Sequence, residues 1–438
     1  MVDLARRIAA GLIAALLLLQ LLSLAGGTGT LPGSASLAVI AIYFVAGFVV
    51  ARPVLRVVAA IALAGAAGLA LRFGMGASLL AGARSAAVFV AFLAAMQMLK
   101  VAIELRPAPA RDASAPADGG EEHDAMLLRT WLVGSIFAAG TMAIVAPQVG
   151  PDRGDDERRR LAQSAVQGVG LALLWSPFFV AMAVCLRLTA GLTLGAALAS
   201  GTVMSLTGLA ISHALFGGRL RLRLLAPLAR VFAAMVAMAV AILAIHHAWG
   251  LGNLEAIVLL VPPVALVLAR RALLERPRAI TGRWLVALQV IAGEALLVSA
   301  SLMFGEVTKD LVAGGVVAMP AALRALPLPL LVAWPAVAMT VLALAGFHPI
   351  VGAALLLPLQ SALPGLHPVV AAGSVATGWM LALVLSRFSV QVMFAAAMFG
   401  VQARGLVDWR AWKFALLFTP TAWAWLLAVN QLVQPASR

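Results

Sequence analysis

The sequence predicts an all-α integral membrane protein of about eleven transmembrane helices and two re-entrant hairpins. Three observations lead to this prediction: the apolar composition, the lengths of the apolar runs, and the placement of Lys and Arg. Of the 438 residues, 63% are hydrophobic and 11% are charged, and the mean hydropathy is +1.04. Soluble proteins carry about 25% charged residues, so a single large soluble domain is excluded.

Charge and cysteine usage exclude further classes. The net charge of +14 is spread along an apolar chain, unlike the basic surface of a nucleic-acid-binding protein. In a membrane protein, Lys and Arg collect on the cytoplasmic side. The single Cys185 lies within an apolar run, which excludes a disulfide framework and a Cys-based zinc site.

The chain contains many apolar runs near the length of about 20 residues that crosses a bilayer. The first run follows Arg6-Arg7 and also has the form of a signal peptide. We interpret it as a membrane helix with a cytoplasmic N-terminus, because the rest of the chain is also membrane. The polar stretch Leu105–Ala125 is predicted to be a flexible loop. The runs are residues 8–25, 36–51, 54–72, 83–103, 127–148, 163–187, 192–215, 228–247, 254–271, 283–304, 327–346, 348–363, 368–400 and 413–432.

The arginine clusters decide which runs cross. If every run crossed once, Arg158–Arg160 and Arg219–Arg223 would lie outside. Both clusters lie inside if residues 127–148 form a re-entrant hairpin that enters from the cytoplasm and residues 327–363 form one that enters from outside. The positive-inside rule therefore favours eleven helices plus two hairpins.

An internal repeat supports this topology. Ala162–Val180 and Ala372–Val390 share the pattern Gly-x-x-Leu-Ala-Leu-x-x-Ser-x-Phe-x-Val. Coincidence in an Ala/Leu-rich chain is the alternative explanation. An odd number of crossings separates the two copies, so they have opposite orientations, as in the inverted repeats of secondary transporters. The predicted parts are an extra helix in residues 1–35, one repeat unit in 36–215 and a second in 228–432.

The segment Leu342–Pro358 resembles the hairpin of the ion transporter superfamily, with a short polar tip, small residues and an apolar stretch that ends in Pro. The superfamily includes divalent-anion/sodium symporters, arsenite efflux carriers and the large membrane subunit of TRAP transporters. The resemblance implies two inverted units, each with a hairpin followed by a broken helix. The divalent-anion symporters carry Ser-Asn-Thr at each tip. The tips here read Ala139-Gly140-Thr141 and Gly346-Phe347-His348, which favours protons over Na⁺ as the coupling ion.

Two Ser-containing motifs interrupt apolar runs at matching places in the repeat. Pro177 removes a backbone hydrogen bond from the motif Trp175–Phe179, which predicts a broken helix that lines a site or a simple kink. Arg387 stands at the same place in Leu385–Ser389. A charge within a span costs roughly 2.5–3.5 kcal/mol and is functional by default. Arg387 is expected to bind an anion, to reach the cytoplasmic rim, or to pair with a buried acid.

The predicted substrate site gathers small and polar residues of the hairpin tips and helix breaks. Glu294, within a span, is either a proton carrier or a partner for Arg387. His348 is either a titrating group or a polar cap for the hairpin tip. His213, near a cytoplasmic helix end, is expected at headgroup level. The substrate-site residues are Gly140, Thr141, Ser176, Pro177, Gly346, His348, Thr377, Ser386, Arg387 and Ser389.

The expected function is secondary active transport of a small organic or inorganic anion across a bacterial inner membrane. The expected partners are the bilayer and that anion, with a homodimer left open, and no cofactor beyond the coupling ion H⁺ or Na⁺. One alternative is the membrane subunit of a TRAP-type system. Another is a lipid-linked transferase, for which the outer loop predicted at Phe304–Leu326 is short. We expect no enzyme, because hydrolase and metalloprotease motifs do not occur in the sequence.

Overall fold

The computed structural model describes residues 2–26, 30–105, 119–149, 153–217, 226–316 and 321–433. Within these ranges the chain is almost entirely helical and contains no β-strand. Short 3₁₀ turns at Ala138–Gly140 and Ala146–Gln148 flank α6. The helices are α1 (Val2–Ala25), α2 (Thr30–Val50), α3 (Pro53–Phe73), α4 (Gly76–Glu104), α5 (Gly119–Phe137), α6 (Thr141–Val145), α7 (Asp155–Trp175), α8 (Val180–Leu188), α9 (Leu194–Phe216), α10 (Ala226–Trp249), α11 (Asn253–Glu275), α12 (Pro277–Ala313), α13 (Ala321–Arg324), α14 (Leu328–Leu344), α15 (Pro349–Ser361), α16 (Pro368–Leu385), α17 (Val390–Phe399), α18 (Ala403–Leu406) and α19 (Trp409–Val433).

Among the described residues, 11 helices are long and apolar enough to cross a membrane, with α7–α8 and α16–α17 each taken as one span. They correspond one to one with the eleven predicted spans. The chain is therefore a multi-pass membrane protein.

The helix α12 is longer than its predicted span of 283–304. It has 37 residues and includes Glu306 and Lys309, which the sequence placed in an outer loop. The loop prediction was wrong for residues 304–313, which continue α12 as a helix, and their position outside the membrane stays a prediction. Glu306 is buried, accepts a hydrogen bond from Ser85 Oγ at 3.1 Å, and pairs with Lys309 one turn away.

The chain folds into two compact units, and each draws on both predicted repeat units, 36–215 and 228–432. The first unit comprises Met1–Asp112 and Val240–Val317, and the second comprises Ala113–Ala239 and Ala318–Arg438. Each predicted repeat unit is one continuous segment of sequence, whereas each compact unit consists of two separate segments that pack together. Each repeat unit supplies helices to both.

Unbroken helices pack closely in the first unit. A methyl group on Gly82 of α4 would lie 2.9 Å from Met303 Cα of α12. The buried Tyr43 donates its hydroxyl proton to the carbonyl of Ala292 at 2.6 Å. Small residues and buried polar bonds are the usual means of joining helices in membranes, where no hydrophobic force drives them together.

The second unit contains two interrupted helices. The chain leaves the helix after Trp175 and resumes it at Val180, and it does the same after Leu385 and at Val390. These are the two places where the sequence predicted an interruption. In each interrupted helix about 89% of the most apolar stretch is buried, so both helices lie at the centre of this unit.

Two short helical hairpins precede these helices. In α14–α15, which we name hairpin 2, Trp334 Nε1 donates to Gln360 Oε1 at 3.1 Å and Gln360 Nε2 donates to the carbonyl of Leu331 at 2.8 Å. The two arms are therefore antiparallel. In hairpin 1, residues 119–148, Arg129 bonds to Gln148 at 3.1 Å across the arms.

Hairpin 1 begins earlier than predicted. The flexible loop predicted at Leu105–Ala125 is wrong for residues 119–125, which belong to α5. Glu121, His123 and Asp124 are buried there, since neighbouring helices supply polar partners. The rest of that loop, from residue 106, and the cluster Arg219–Arg223 lie outside the described residues.

The first arm of each hairpin runs parallel to the helix that follows it. Gly168 of α7 meets Leu127 of α5, and eight residues further on Ser176 meets Ser135. Gly378 meets Ala336 in the same way on α16 and α14. A parallel helix after a hairpin requires that the chain has returned to the end from which the hairpin started.

We predict that Gly378→Ala destabilises the second unit. The added methyl group would lie 2.7 Å from Ala336 Cα, so α14 would have to move away from α16. Overpacking of this kind costs about 1–3 kcal/mol, which exceeds the gain of about 1 kcal/mol in helix propensity. Melting temperature in detergent measures the effect. Gly68→Ala is the control, because its methyl group meets no atom within 4 Å; equal melting temperatures for both variants would contradict the packing.

Candidate functional site

A hydrogen bond of Ser176 connects the first interruption to hairpin 1. The fully buried hydroxyl of Ser176 donates to the carbonyl of Ser135 and accepts the backbone N–H of Phe178 at 3.1 Å. Pro177 carries no N–H group, so one backbone donor is already missing at this point. The serine hydroxyl therefore satisfies two backbone groups that the interruption would otherwise leave unpaired.

The second interruption repeats this arrangement. Ser386 Oγ donates to the carbonyl of Ala343 at 2.6 Å and accepts the N–H of Phe388 at 3.2 Å. Ser389 adds a bond to the carbonyl of Leu383 at 2.9 Å and caps α17 by accepting the N–H of Val392 at 3.1 Å. The hydroxyls of Ser176, Ser386 and Ser389 thus all bind backbone, and contact of these residues with a substrate stays a prediction.

The hairpin tips have unusual backbone conformations. Ala138, two residues before Gly140, has φ of 48°, and Gly346 has φ of 92°. A left-handed conformation costs a residue with a Cβ atom about 1–2 kcal/mol, so only the first tip stores strain. Thr141 follows it, fully buried, and its hydroxyl has no hydrogen-bond partner in the described part of the chain. Gly346 lies beside the ring of Phe388 in the second interruption.

Arg387 lies on the exposed side of the second interruption. Its guanidinium group stacks over the ring of the neighbouring Phe388, 4.9 Å from the centroid. Arg387 belongs to the second unit and Glu294 to the first, so their pairing stays a prediction. A cation over an aromatic face gains about 0.5–1 kcal/mol at an exposed site and keeps its donors available to an anion.

His348 and Thr377 have local partners. His348 Nδ1 accepts the N–H of Ile350 at 3.3 Å, so the side chain caps α15. This is the capping role that the sequence left open for it. Thr377 Oγ1 donates to the carbonyl of Gly373 at 2.8 Å within α16. In the described part of the chain these hydrogen bonds do not involve an interruption, and the substrate roles of both residues remain predictions.

The two interrupted helices run antiparallel. Gly170 lies against Val384, and Gln391 Nε2 donates to the carbonyl of Val166 at 3.0 Å. With a rise of about 1.5 Å per residue, this register separates the two interruptions by roughly 12 Å along the axis. The predicted site residues therefore form two groups, one at each hairpin, rather than one cluster.

A polar cleft of about 210 Å³ lies beside the return arm of hairpin 1. Arg158 of α7 reaches it, and the C-terminal end of α17 forms the opposite wall at Phe399 and Gly400. Arg158 is paired with Asp155, which is exposed. The cleft places a guanidinium group next to both a hairpin and an interrupted helix.

The sequence missed a second polar cluster at the start of hairpin 1. His123 is buried, with Nδ1 at 2.6 Å from Ser164 Oγ and Nε2 at 3.1 Å from Ser212 Oγ. Ser212 Oγ in turn donates to Gln167 Oε1 at 2.7 Å. Ser164 and Gln167 are three residues apart on α7, and this spacing of polar residues on one face of an apolar helix was the signal available in the sequence.

An acid and a second histidine adjoin this cluster. Asp124 Oδ2 lies 3.0 Å from His213 Nδ1, and the aspartate side chain is only 1% exposed. His213 therefore has a specific partner, and its position at headgroup level stays a prediction. Arg410 stacks over Phe216 at 4.3 Å, and Phe216 packs edge-on against His123. The cluster joins α5, α7, α9 and α19.

Neither a protein-family model nor a curated protein matches this sequence. A function for the chain therefore has to come from its own geometry.

We predict that Ser386→Ala lowers stability by about 1–3 kcal/mol, because it leaves the carbonyl of Ala343 and the N–H of Phe388 unpaired. Ser361→Ala is the matched control, since among the described residues that hydroxyl bonds only the carbonyl of Leu357 in its own helix. Thermal unfolding of both variants in the same detergent measures the difference. An effect of Ser386→Ala no larger than that of the control would show that the hydroxyl does not hold the interruption.

We predict that stability falls in acid partly through His123. Burial, together with the charges of Arg410 and His213, lowers the pKa of His123 from 6.5 to about 4. Because the folded-state pKa lies below the unfolded one, this stability is present above about pH 6.5 and is lost as the pH falls towards 4. The full contribution is at most about 3 kcal/mol.

Melting temperature as a function of pH tests the role of His123. His123→Gln keeps a polar side chain and should flatten the profile between about pH 6.5 and about pH 4. His247→Gln, at an exposed position, should leave it unchanged. Identical profiles for His123→Gln and the unsubstituted protein would exclude His123 as the source.

Proposed function

We propose that this protein is a secondary active transporter of a small anion, in which the second unit carries the substrate and the first unit is the scaffold. The observation that carries the proposal is the pair of interrupted helices. Each has a serine that bonds a hairpin carbonyl, Ser176 to Ser135 and Ser386 to Ala343, and the two helices are antiparallel. Paired discontinuous helices in opposite orientations are the usual frame of a substrate site in secondary transporters.

In the proposed membrane arrangement both hairpins are re-entrant and the two repeat units have inverted topology. The parallel packing of each first arm on the following helix supports this, because the chain must return to its starting side within each hairpin. Irregular backbone at membrane depth is tolerated only where protein or a water-filled cavity covers it. The burial of both interrupted helices meets that condition. The positive-inside rule favours a cytoplasmic N-terminus, and the proposed location is a bacterial inner membrane.

An anion is the proposed substrate class because one guanidinium group lies at the second interruption and another borders the polar cleft beside hairpin 1. Arg387 is part of the second interruption, and Arg158 borders the cleft between hairpin 1 and α17. A guanidinium group offers a planar fork of donors that fits a carboxylate or phosphate. The helices α8 and α17 begin at the interruptions, and the partial positive charge at their N-terminal ends also favours a negatively charged substrate.

Protons are the proposed coupling ion. The hairpin tips Ala139–Thr141 and Gly346–His348 lack the Ser-Asn-Thr oxygens of the sodium symporters that the sequence resembles. The described residues also contain several buried titratable groups, namely His123, Asp124 and Glu306. Intramembrane or buried ionisable residues are typical of proton pathways.

Cysteine labelling tests the topology in a Cys185→Ala background, which removes the one native thiol. Asp155→Cys should react with a membrane-impermeant reagent only from the cytoplasmic side, and Gly365→Cys only from outside. Both positions are exposed in the structure. Reaction of the cysteine at position 155 from outside would contradict the re-entrant path of hairpin 1 and the inverted repeat with it.

Arg387 variants test the substrate class. We expect phosphate or a dicarboxylate such as succinate to raise the melting temperature of the purified protein, and Arg387→Ala to abolish the shift. Arg387→Lys should weaken binding about tenfold or more, since a lysine keeps the charge but loses the fork. Arg72→Ala is the matched control, because Arg72 also stacks on its neighbouring Phe73, at 5.4 Å, but belongs to the first unit.

The same measurement discriminates the alternatives. Equal loss of the anion-induced shift in the Arg72 and Arg387 variants would contradict a site at the second interruption. If Arg387→Ala destabilises the protein and Arg387→Ala/Glu294→Ala restores both stability and binding, Arg387 is a structural partner of Glu294 and not an anion ligand. A shift that strictly requires Na⁺ would defeat proton coupling.

A further inference from the structure

The buried cluster at the start of hairpin 1 has an exposed side and a buried side. The side chain of His213 is 34% exposed, whereas that of its partner Asp124 is 1% exposed. His123, which precedes Asp124 on α5, is 5% exposed and is hydrogen-bonded through both ring nitrogens. His213 therefore connects the surface to a buried carboxylate at the base of the hairpin.

The hydrogen bonds assign different roles to the two nitrogens of His213. Nδ1 faces Asp124 Oδ2 at 3.0 Å, and a carboxylate only accepts hydrogen bonds, so Nδ1 carries the proton of a neutral ring. Nε2 then holds the lone pair. An aspartate that orients a histidine in this way also stabilises the imidazolium form by charge.

We propose that His213, held by Asp124, binds the coupling proton of the carrier. The inference rests on the proposed transport function and names its coupling site. A proton from water adds to the lone pair of Nε2, and the bond from Nδ1–H to Asp124 is kept. The ring changes from neutral to +1 beside the buried carboxylate, and release reverses the step.

The groups around the pair favour His213 over its neighbours as the acceptor. On α5, Glu121 is buried and Glu122 is paired with Arg153. Near the start of α19, Arg410 lies close enough to Arg160 of α7 and to Asp408 for their charges to act on it. Arg410 opposes a second positive charge, but Asp124 is in direct contact with the ring. His123 stays neutral, because burial and the charge of Arg410 lower its pKa to about 4.

Proton binding at this place acts on the hairpin directly. Asp124 lies on α5, the first arm of hairpin 1, and His213 lies near the C-terminal end of α9. Charging His213 turns a hydrogen bond from a neutral ring to a carboxylate into an ion pair between the two helices. Any movement of hairpin 1 that separates them therefore has a different free energy in the two protonation states, which is the condition for coupling.

Histidine-selective ¹⁵N NMR of the anion-free protein tests the proton site alone. We expect one pH-dependent Nε2 signal to vanish in His213→Gln. In Asp124→Asn its midpoint should fall by about one pH unit or more, because the carboxylate no longer stabilises the imidazolium. Asp124→Asn removes a buried hydrogen-bond partner and could unfold the protein. Asp124→Glu keeps the charge and is therefore measured as a second variant. His247→Gln is the control for an exposed histidine. A His213 signal that does not titrate, or an unchanged midpoint in both Asp124 variants, would overturn the proposal.

The pH dependence of anion binding tests the coupling. In the unsubstituted protein, affinity for phosphate or succinate, read from thermal stabilisation, should change about tenfold between about pH 8 and about pH 5. In His213→Gln that change should fall to the part that ionisation of the anion itself causes, with binding retained. An unchanged pH dependence in His213→Gln would overturn the coupling role. If neither anion stabilises any protein while His213 titrates as expected, the proposed transport function fails and the proton site stands.

Discussion

The second unit depends on one hydrogen bond that is made twice, from a serine at a helix interruption to a carbonyl of the adjacent hairpin. An interrupted helix in a bilayer exposes backbone groups that no lipid can satisfy, and each such group costs several kcal/mol. Ser176 and Ser386 each satisfy a carbonyl and an N–H group at this point. The hairpin is thereby held against the interruption, and neither element has a satisfied backbone without the other.

Glycine permits this arrangement by removing volume where the backbones meet. Gly168 and Gly378 lie eight residues before the two serines, and each allows the first arm of a hairpin to reach van der Waals distance. Gly170 does the same where the interrupted helices cross. In lipid, where apolar surfaces gain little from contact, such close approach supplies most of the attraction between helices. The positions of a few glycines therefore determine which helices become neighbours.

The sequence predicted the helices well and the polar contacts only in part. Hydropathy located all eleven spans, because the length of an apolar run is set by the bilayer. The interruptions followed from Pro177 and the repeated serines. A hydropathy profile contains no information about tertiary partners. His123 and Asp124 were therefore predicted to lie in the loop Leu105–Ala125, and Glu306 in the loop Phe304–Leu326. These polar side chains are buried because partners from distant parts of the chain, Ser164, Ser212, His213 and Ser85, satisfy them.

The length of α12 has a mechanical consequence for the first unit. Its 37 residues extend for about 55 Å, whereas the hydrocarbon core of a bilayer is about 30 Å thick. Such a helix must tilt or project from the membrane, and its tilt is set by the helices packed against it. Because α12 packs against α2, α3 and α4, a change in lipid chain length acts on all of them together. Through hydrophobic mismatch, a change in bilayer thickness therefore alters the tilt of α12 and of the helices packed against it in the first unit.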